Sequence, residues 1–426
     1  MTVDFFDGAD GVTVTCEIAL SSPGGTYALW DNALWDRGKW GPGVVYQDLS
    51  TRIREFGSSR KFNRTLDRWQ SGTGWVLLDN RDGDLSPTNL GGAYVVGGVT
   101  TIRPGIPIRL SVGYGGKTYR MITGVVDDWQ EEIISAGPYQ GDAAVRVSIV
   151  DGWADLSDID GMEVDPPVGG GELFGPRIHR ILDAAGHTGA RAIDEGEVTM
   201  AATDLSDSPV TEMVKTAESE GGMVWPDAEG TIRGAGRYAL VEDPRSRIIQ
   251  ATFGDLDPTH LPYVDPKPTY DRELIRNRAV YTRTGGVTQI AADESSRAVY
   301  GLRRETKTNL LCSTDTQVMS LAEWTIARFH QPRRRVEEIT VYPRADPLVL
   351  WPVVCALMER DLVRVIHHPP GGYTDDVYCH VAGIEHTVRT GGDWRTVYQL
   401  WSAEPYYSFS GSRWDVATWD NARWFI

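Results

Sequence analysis

The stretch IPIRLSVGYGGKTYRMITGVVDDW, residues 106 to 129, restricts this chain more than any other. Two alternating runs flank Gly115 and Gly116, and Gly-Gly between such runs is preferred chemistry for a two-residue hairpin turn. The pattern recurs on both sides. GVTVTCEIAL places Val12, Val14, Cys16 and Ile18 on one face of a strand, and GWVLLDN and AAVRVSIVDGW are further strand-like runs. After residue 335 it returns in VEEITVYP, DLVRVIHH, DVYCHVAGIEHTV and DWRTVYQLW. Many short strands parted by tight turns suggest a barrel or sandwich. The 46 Gly and 23 Pro, beside 15 Trp and 17 Tyr, suit such a chain.

Between these regions the character changes. GPRIHRILDAAG puts Ile178, Ile181, Leu182 and Ala185 on one helical face and stops at Gly186. SDSPVTEMVKTAESEGG starts with Ser208 as N-cap and Pro209 in the first turn. It buries Val210, Met213, Val214 and Ala217 and ends at Gly221-Gly222. MVWPDAEGTIRG reads as a hairpin, and residues 270 to 315 regain β character. SLAEWTIARFHQP reads as a helix ended by Pro332, with Ser320 and Glu323 in capping-box spacing and Leu321, Trp324, Ile326 or Ala327, and Phe329 on its apolar side. The expected fold is mainly β with α+β inserts. The expected divisions are N-terminal strands and a Trp-rich segment (1–45), a first β module (46–155), an α+β insert (156–270) and a β/helix connection (271–335). A second β module (336–410) and a Trp-rich tail (411–426) complete the chain.

A chain of 426 residues is long enough for two to four domains, and 41% hydrophobic with 24% charged residues is the composition of a folded one. The net charge of −17 argues against a surface that grips DNA, because neutralising phosphates needs clustered Lys and Arg. It allows DNA to pass without sticking, and it disfavours an anionic membrane. Cys16, Cys312, Cys355 and Cys379 are scattered without a CxxC pair and read as reduced core residues. MTVDFFDGADG lacks the basic and apolar regions of a signal peptide. The longest apolar stretch, PLVLWPVVCALM (347–358), holds two prolines and is too short to span a bilayer. Synthesis in a reducing cytoplasm, with no stable membrane insertion, is expected.

Motifs that promise chemistry do not hold together. Gly-Gly-Lys-Thr at 115–118 lacks the first P-loop glycine, since position 111 is Ser, and a strand rather than a helix follows. LDNRDGDLSPTN (78–89) fails the EF-hand order and reads as turn chemistry. His367, His368, Cys379, His380 and His386 gather near the C-terminus; on one strand His380 and His386 share a face and Cys379 points away, so three converging zinc ligands are not expected. Asp127-Asp128 and Glu131-Glu132 could serve glycoside hydrolysis, but any acidic chain offers such pairs. PRRRVEE (332–338) is a solvated face or an ion-pair interface. No catalytic residue, cofactor or metal ligand is singled out.

Two further stretches resemble each other. YALWDNALWDRGKW (27–40) and SRWDVATWDNARW (412–424) each carry three tryptophans five residues apart: Trp30, Trp35 and Trp40, then Trp414, Trp419 and Trp424. Five helical steps turn about 140°, and five strand steps reverse the face, so neither common period makes an ordinary buried stripe. The rings could pack on their own chain, form a protein interface, where Trp is enriched, or stack on sugars, with Asp31, Asp36, Asp415 and Asp420 accepting from hydroxyls. The two copies are expected to adopt the same turn-rich conformation at corresponding places.

Three segments carry a family resemblance. RKFNRTLDRWQSGTGWVLLDNRDGDLSPTN (60–89) resembles the N-terminal signature of minor tail proteins from long-tailed phages of actinobacteria. AESEGGMVWPDAEGTIR (217–233) resembles that family's helix, Gly-Gly and hairpin. RDLVRVIHHPPGG with VAGIEHTVRTGGDWRTVYQL (360–400) resembles its closing strands. The three lie in family order; the Trp-rich stretch at 27–40 departs from it, since simpler loops are common there. The resemblance implies a tail-tip hub with two related β-barrel modules and small α+β domains. It implies a homotrimeric ring whose six barrels continue a six-fold tail tube. Implied partners are distal tail or tail-tube proteins, the tape measure protein, and other minor tail or receptor-binding proteins. DNA would pass without specific binding, and the implied location is the virion tail tip.

Overall fold

A computed structural model describes residues 11–20, 45–63, 68–135, 141–162 and 164–407. The first region supplies β1 (Thr13–Ile18), β2 (Ile53–Asn63), β3 (Thr73–Asp79), β4 (Pro107–Tyr114), β5 (Lys117–Ser135) and β6 (Asp142–Val150). Side by side they run β2-β3-β6-β5-β4-β1, antiparallel throughout. Gly115 and Gly116 have φ of 58° and 75°, so the β4–β5 connection is the tight hairpin expected and no phosphate-binding loop. Val12, Val14, Cys16 and Ile18 are buried together, as their alternation requires.

The middle of the chain folds as α+β. Asp151 caps α1 (Gly152–Ser157), and α2 (Phe174–Ala184) buries Ile178, Ile181 and Leu182, each worth roughly 1.5–3 kcal/mol out of water. In α3 (Pro209–Glu220) Ser208 accepts from Thr211 N–H and Gly221 closes the helix in the left-handed region. The hairpin of β7 (Met223–Pro226) and β8 (Ile232–Ala235) follows, then β9 (Ile249–Gly254). A small sheet holds β10 (Arg278–Arg283), β11 (Gln289–Ala292) and β12 (Arg304–Leu310), and α4 (Asp315–Phe329) packs against it.

That helix corrects one expectation. It begins five residues earlier than Ser320, and its capping box is Thr314 with Gln317, not Ser320 with Glu323. Ser320 lies inside the helix, where its hydroxyl accepts from Arg237. Residues 315–319 look too polar to extend an apolar stripe, but Val318 faces the core and Thr314 satisfies the exposed amide. Leu321, Ala322 and Ile326 supply the buried side, while Ala327 is exposed.

The final region adds β13 (Glu338–Val341), α5 (Pro347–Ala356), β14 (Leu362–His367), β15 (Asp375–Arg389) and β16 (Asp393–Ser402). The apolar stretch at 347–358 is thus mostly helix α5, with Leu350, Trp351, Val354 and Cys355 on the main core. No helix among the described residues is long and apolar enough to cross a membrane. Residues 264–269 pair with 335–340, through Val264–Thr340 and Pro268–Val336. The second set therefore runs 264–269, β13, β16, β15, β14, all antiparallel. This is the β2-β3-β6-β5-β4 pattern over again, in the same chain order. The outermost strand differs: β1 is antiparallel to β4, whereas β9 is parallel to β14. Apart from 264–269, which pairs with 335–336 in a separate two-stranded ladder and bridges Thr340, both sets belong to one thirteen-stranded sheet, joined where β2 pairs with β15. One apolar core underlies both, from Val14, Phe56 and Val147 to Ile339, Trp351, Val365 and Leu400.

Candidate assembly interfaces

The junction between the two sets is built on the long strand β15. Its first half pairs with β14, and the pairing ends at Leu362–His380. Two residues on, Ala382 is an extra residue opposite the Leu400–Gln399 step, a bulge that bends the strand. From Gly383 to Val388 the edge that β14 has left is taken by β2, from Lys61 back to Phe56. Two glycines here leave no room for a side chain. A Cβ on Gly383 would lie 2.9 Å from the Arg60 carbonyl oxygen, and one on Gly57 would lie 2.6 Å from Trp75 Nε1.

Charge and aromatic packing close the junction. Arg60 and Glu359 form an ion pair of 2.8 Å, with side chains only 8% and 5% exposed, and Arg60 also donates to the Met121 carbonyl. Beyond it Trp69 stacks on Trp225 at 5.6 Å, and Phe62 and Trp401 meet edge to face at 5.2 Å. The Arg360 guanidinium lies 5.4 Å from the Trp225 ring. The three segments that carry the family resemblance thus converge: Phe62 and Trp69 come from the first, Trp225 from the second and Arg360 from the third.

The gathered histidines are structural groups. The bulge at Ala382 reverses the alternation, so His380 and His386 do not share a face as expected: their partners on β16 are Trp401 and Thr396, five residues apart. Cys379, opposite Ser402, shares the face of His386. His386 bonds Thr396 Oγ1 at 3.0 Å, and His380 Nε2 bonds the Ser246 carbonyl at 2.9 Å. Burial, with the nearby Arg60 charge, pushes His386 down to about 3, and burial pushes His380 down to about 4. His367 and His368 both lean on Asp255, at 3.3 and 2.6 Å. Among the described residues no group of His, Cys, Asp and Glu is placed to hold a metal ion.

The remaining motif residues are also accounted for. In the 78–89 stretch Asp79 meets Arg54 and Arg81, Asp82 meets Arg52, and Asn80 accepts from Leu85 N–H, which is turn chemistry. PRRRVEE is an ion-pair seam: Arg333 meets Glu404, Arg334 meets Asp375, and the buried Arg335 meets Asp271 and Glu337. All four cysteines are buried and free, and burial pushes the Cys312 and Cys355 thiols up to about 11 and about 12. Asp151 accepts from Ser71, Gly72 and Trp153, yet burial raises its carboxyl to about 6.

The equivalent long strand of the first set, β5, is laid out in the same way, but among the described residues its outer edge has no partner strand. Its pairing with β4 ends at Pro107–Val125, and two residues on Asp127 is an extra residue opposite the Ser148–Ile149 step. From 128 to 133 β5 pairs only with β6 on one side, and no described strand takes the other edge. Trp129 N–H is met there by the Asp128 carboxylate at 2.8 Å. Asp127, Asp128 and Glu131 are exposed, as are Ile133 and Ile134, at 76% and 57%. These residues were not singled out as an interface by their types alone. The available signal is the run DDWQEEII, in which Trp129 alone turns to the core while carboxylates and exposed isoleucines surround it. The six sequence candidates, Trp30, Trp35, Trp40, Trp414, Trp419 and Trp424, lie outside the described residues.

No family model matches this chain, and no curated protein matches it. Solved structures do. The tail protein of Neisseria meningitidis MC58 is similar at a TM-score of 0.57 and 13% identity, over 91% of this chain and 96% of its own. The 43 kDa tail protein of prophage MuSo2 from Shewanella oneidensis is similar at 0.54 and 16% identity, over 85% and 97%. The chain therefore has the fold of these tail proteins over nearly its whole described length.

Proposed function

We propose that this chain is a structural component of a phage tail tip, the hub or baseplate of a long-tailed phage of actinobacterial type. The observation that carries this reading is the end-to-end fold likeness to two tail proteins, one of them from a prophage, each covered almost completely. The doubled five-strand set supports it, because two equivalent modules per chain let three chains present six units to a six-fold tube. The divisions near residues 45, 155, 270, 335 and 410 belong to this reading. The work of the protein is assembly and gating, not catalysis: it joins tail-tube or distal tail proteins and the tape measure protein on one side and receptor-binding or spike proteins on the other. A charge of −17 suits a lumen that DNA crosses without binding. Trp30, Trp35, Trp40, Trp414, Trp419 and Trp424 are the proposed partner contacts. Mass photometry and electron microscopy of the purified chain, alone and with neighbouring tail proteins, should show trimers or rings, and immunogold should label tail tips. A strictly monomeric chain absent from purified virions sinks the reading.

A further inference from the structure

We infer that the outer face of α5 is a docking surface whose occupant is residues 1–10 of the same chain, anchored by Val3, Phe5 and Phe6. The contact lies within one chain, so its failure leaves the hub reading standing. α5 is apolar on both sides. Leu350, Trp351, Val354 and Cys355 face the main core, and the Trp351 ring meets Trp394 at 4.9 Å. The opposite stripe, Leu348, Val349, Pro352 and Ala356, is apolar too, yet it is exposed, Leu348 by 83%. Met358 extends this surface, and no charged residue stands anywhere from Pro347 to Met358. α1 to α4 each carry charged residues, as helices with one face in water do. A helix apolar all round belongs under a cover.

The path of the main chain selects the occupant. β1 runs antiparallel to β4 with Thr13 opposite Gly113, which sets Val12 beside Tyr114. The Tyr114 ring is 6.4 Å from the Trp351 ring, so Gly11, the next residue out, lies at the rim of α5. Gly11 has φ of 69° and turns the chain out of the β1 line. A helix with its side chains is about 10 Å across, and extended chain advances about 3.3 Å per residue. About five residues therefore lead from Gly11 round the helix, and that count arrives at Phe6 and Phe5. A short tether holds this segment at an effective concentration on the order of millimolar, which favours it over a free partner. Residues 21–44 depart from the far end of β1, where Ala19 N–H donates to the Pro107 carbonyl.

The test puts a photo-crosslinker on the face itself. Leu348 points away from the core, so p-benzoyl-phenylalanine in its place leaves the packing of α5 intact. The full chain, irradiated when dilute, should give an intramolecular product that digestion and mass spectrometry map to residues 1–10. A product mapped to another segment of the chain overturns the inference. So does one joined to a second copy, seen as doubled mass on a denaturing gel, and so does the absence of any product. Hydrogen exchange gives a second readout. Phe5→Asp with Phe6→Asp should speed exchange of the α5 amides at least tenfold and leave those of α3 unchanged. Exchange that is unaltered at α5, or raised equally throughout the chain, overturns the docking as well.

Discussion

β5 and β15 are the same strand built twice, and they carry opposite surfaces. After its bulge β15 holds Ile384, His386 and Val388, all buried, with Ile384 and Val388 in the main apolar core. At the matching positions β5 holds Trp129, half-buried against the same core, and the exposed Glu131 and Ile133. An edge covered within its own chain can be apolar and can tolerate a neutral imidazole. The matching edge, which no described strand covers, carries carboxylates, and charge on an exposed edge discourages pairing with a wrong strand. The difference teaches that the fold alone does not decide the residues; whether the edge is covered within the chain also does.

The largest effects should come from breaking the covered edge. Removing Glu359 strands the Arg60 guanidinium in a site where both side chains are under 10% exposed. Glu359→Ala should cost about 3–5 kcal/mol, read as a lowered urea midpoint. Replacing both partners with apolar residues should recover most of that loss. A double variant as unstable as the single one would show that the junction needs the charges themselves.

Gly383 gives a more direct contrast between the two edges. Gly383→Val drives a side chain into the Arg60 carbonyl, and a backbone atom held in a ladder cannot move aside. A loss of about 3 kcal/mol is expected. Asp128→Val, the matching change in β5, should stay within about 0.5 kcal/mol. Equal losses from the two substitutions would mean that the β5 edge is also covered in the isolated chain.

These residues show what the sequence made legible. Strands, the Gly115-Gly116 turn, α2, α3 and the β7–β8 hairpin follow from local periodicity and caps, which need no knowledge of partners. The histidine geometry did not follow, because one extra residue at Ala382 inverts a face and nothing local marks it. The start of α4 was missed for a related reason: Thr314 and Gln317 complete a capping box ahead of a polar turn, while Ser320 and Glu323 offered the same spacing by accident. The doubled strand set was hidden by length, since residues 271–335 interrupt its second copy between the first and second strands.

A smaller effect, spread over pH, separates the same two edges. His380 and His386 are neutral in the folded chain and take up protons near their ordinary value of 6.5 once unfolded. Between about pH 6.5 and about 4 the unfolded chain therefore binds more protons, so stability is full above 6.5 and falls through that window. Asp151 opposes this: its raised carboxyl binds a proton more tightly when folded, which adds stability as pH falls from about 6 to 3.8. Two imidazoles outweigh one carboxyl, and a net loss on the order of 2–3 kcal/mol is expected by pH 4.5. His386→Gln, which keeps an acceptor for Thr396, should flatten part of the slope in denaturant titrations across pH. A slope unchanged in His386→Gln would move the titrating groups away from β15.

The smallest change in stability is expected from the Trp-rich tail, and it bears on whether covering comes from within or from a partner. A ring packed in its own core costs roughly 3–5 kcal/mol when truncated to Ala. A ring reserved for a partner costs almost nothing until the partner is present. Trp414→Ala with Trp419→Ala should therefore leave the urea midpoint of the isolated chain within about 0.5 kcal/mol. The same variant should lose its place in assembled tails, measured by immunoblot of purified virions. A midpoint that drops by several kcal/mol would put these rings inside the chain's own fold, on the side of β15. A variant that assembles normally but no longer binds host-wall glycans would assign them to sugar, and host attachment would replace assembly as their purpose.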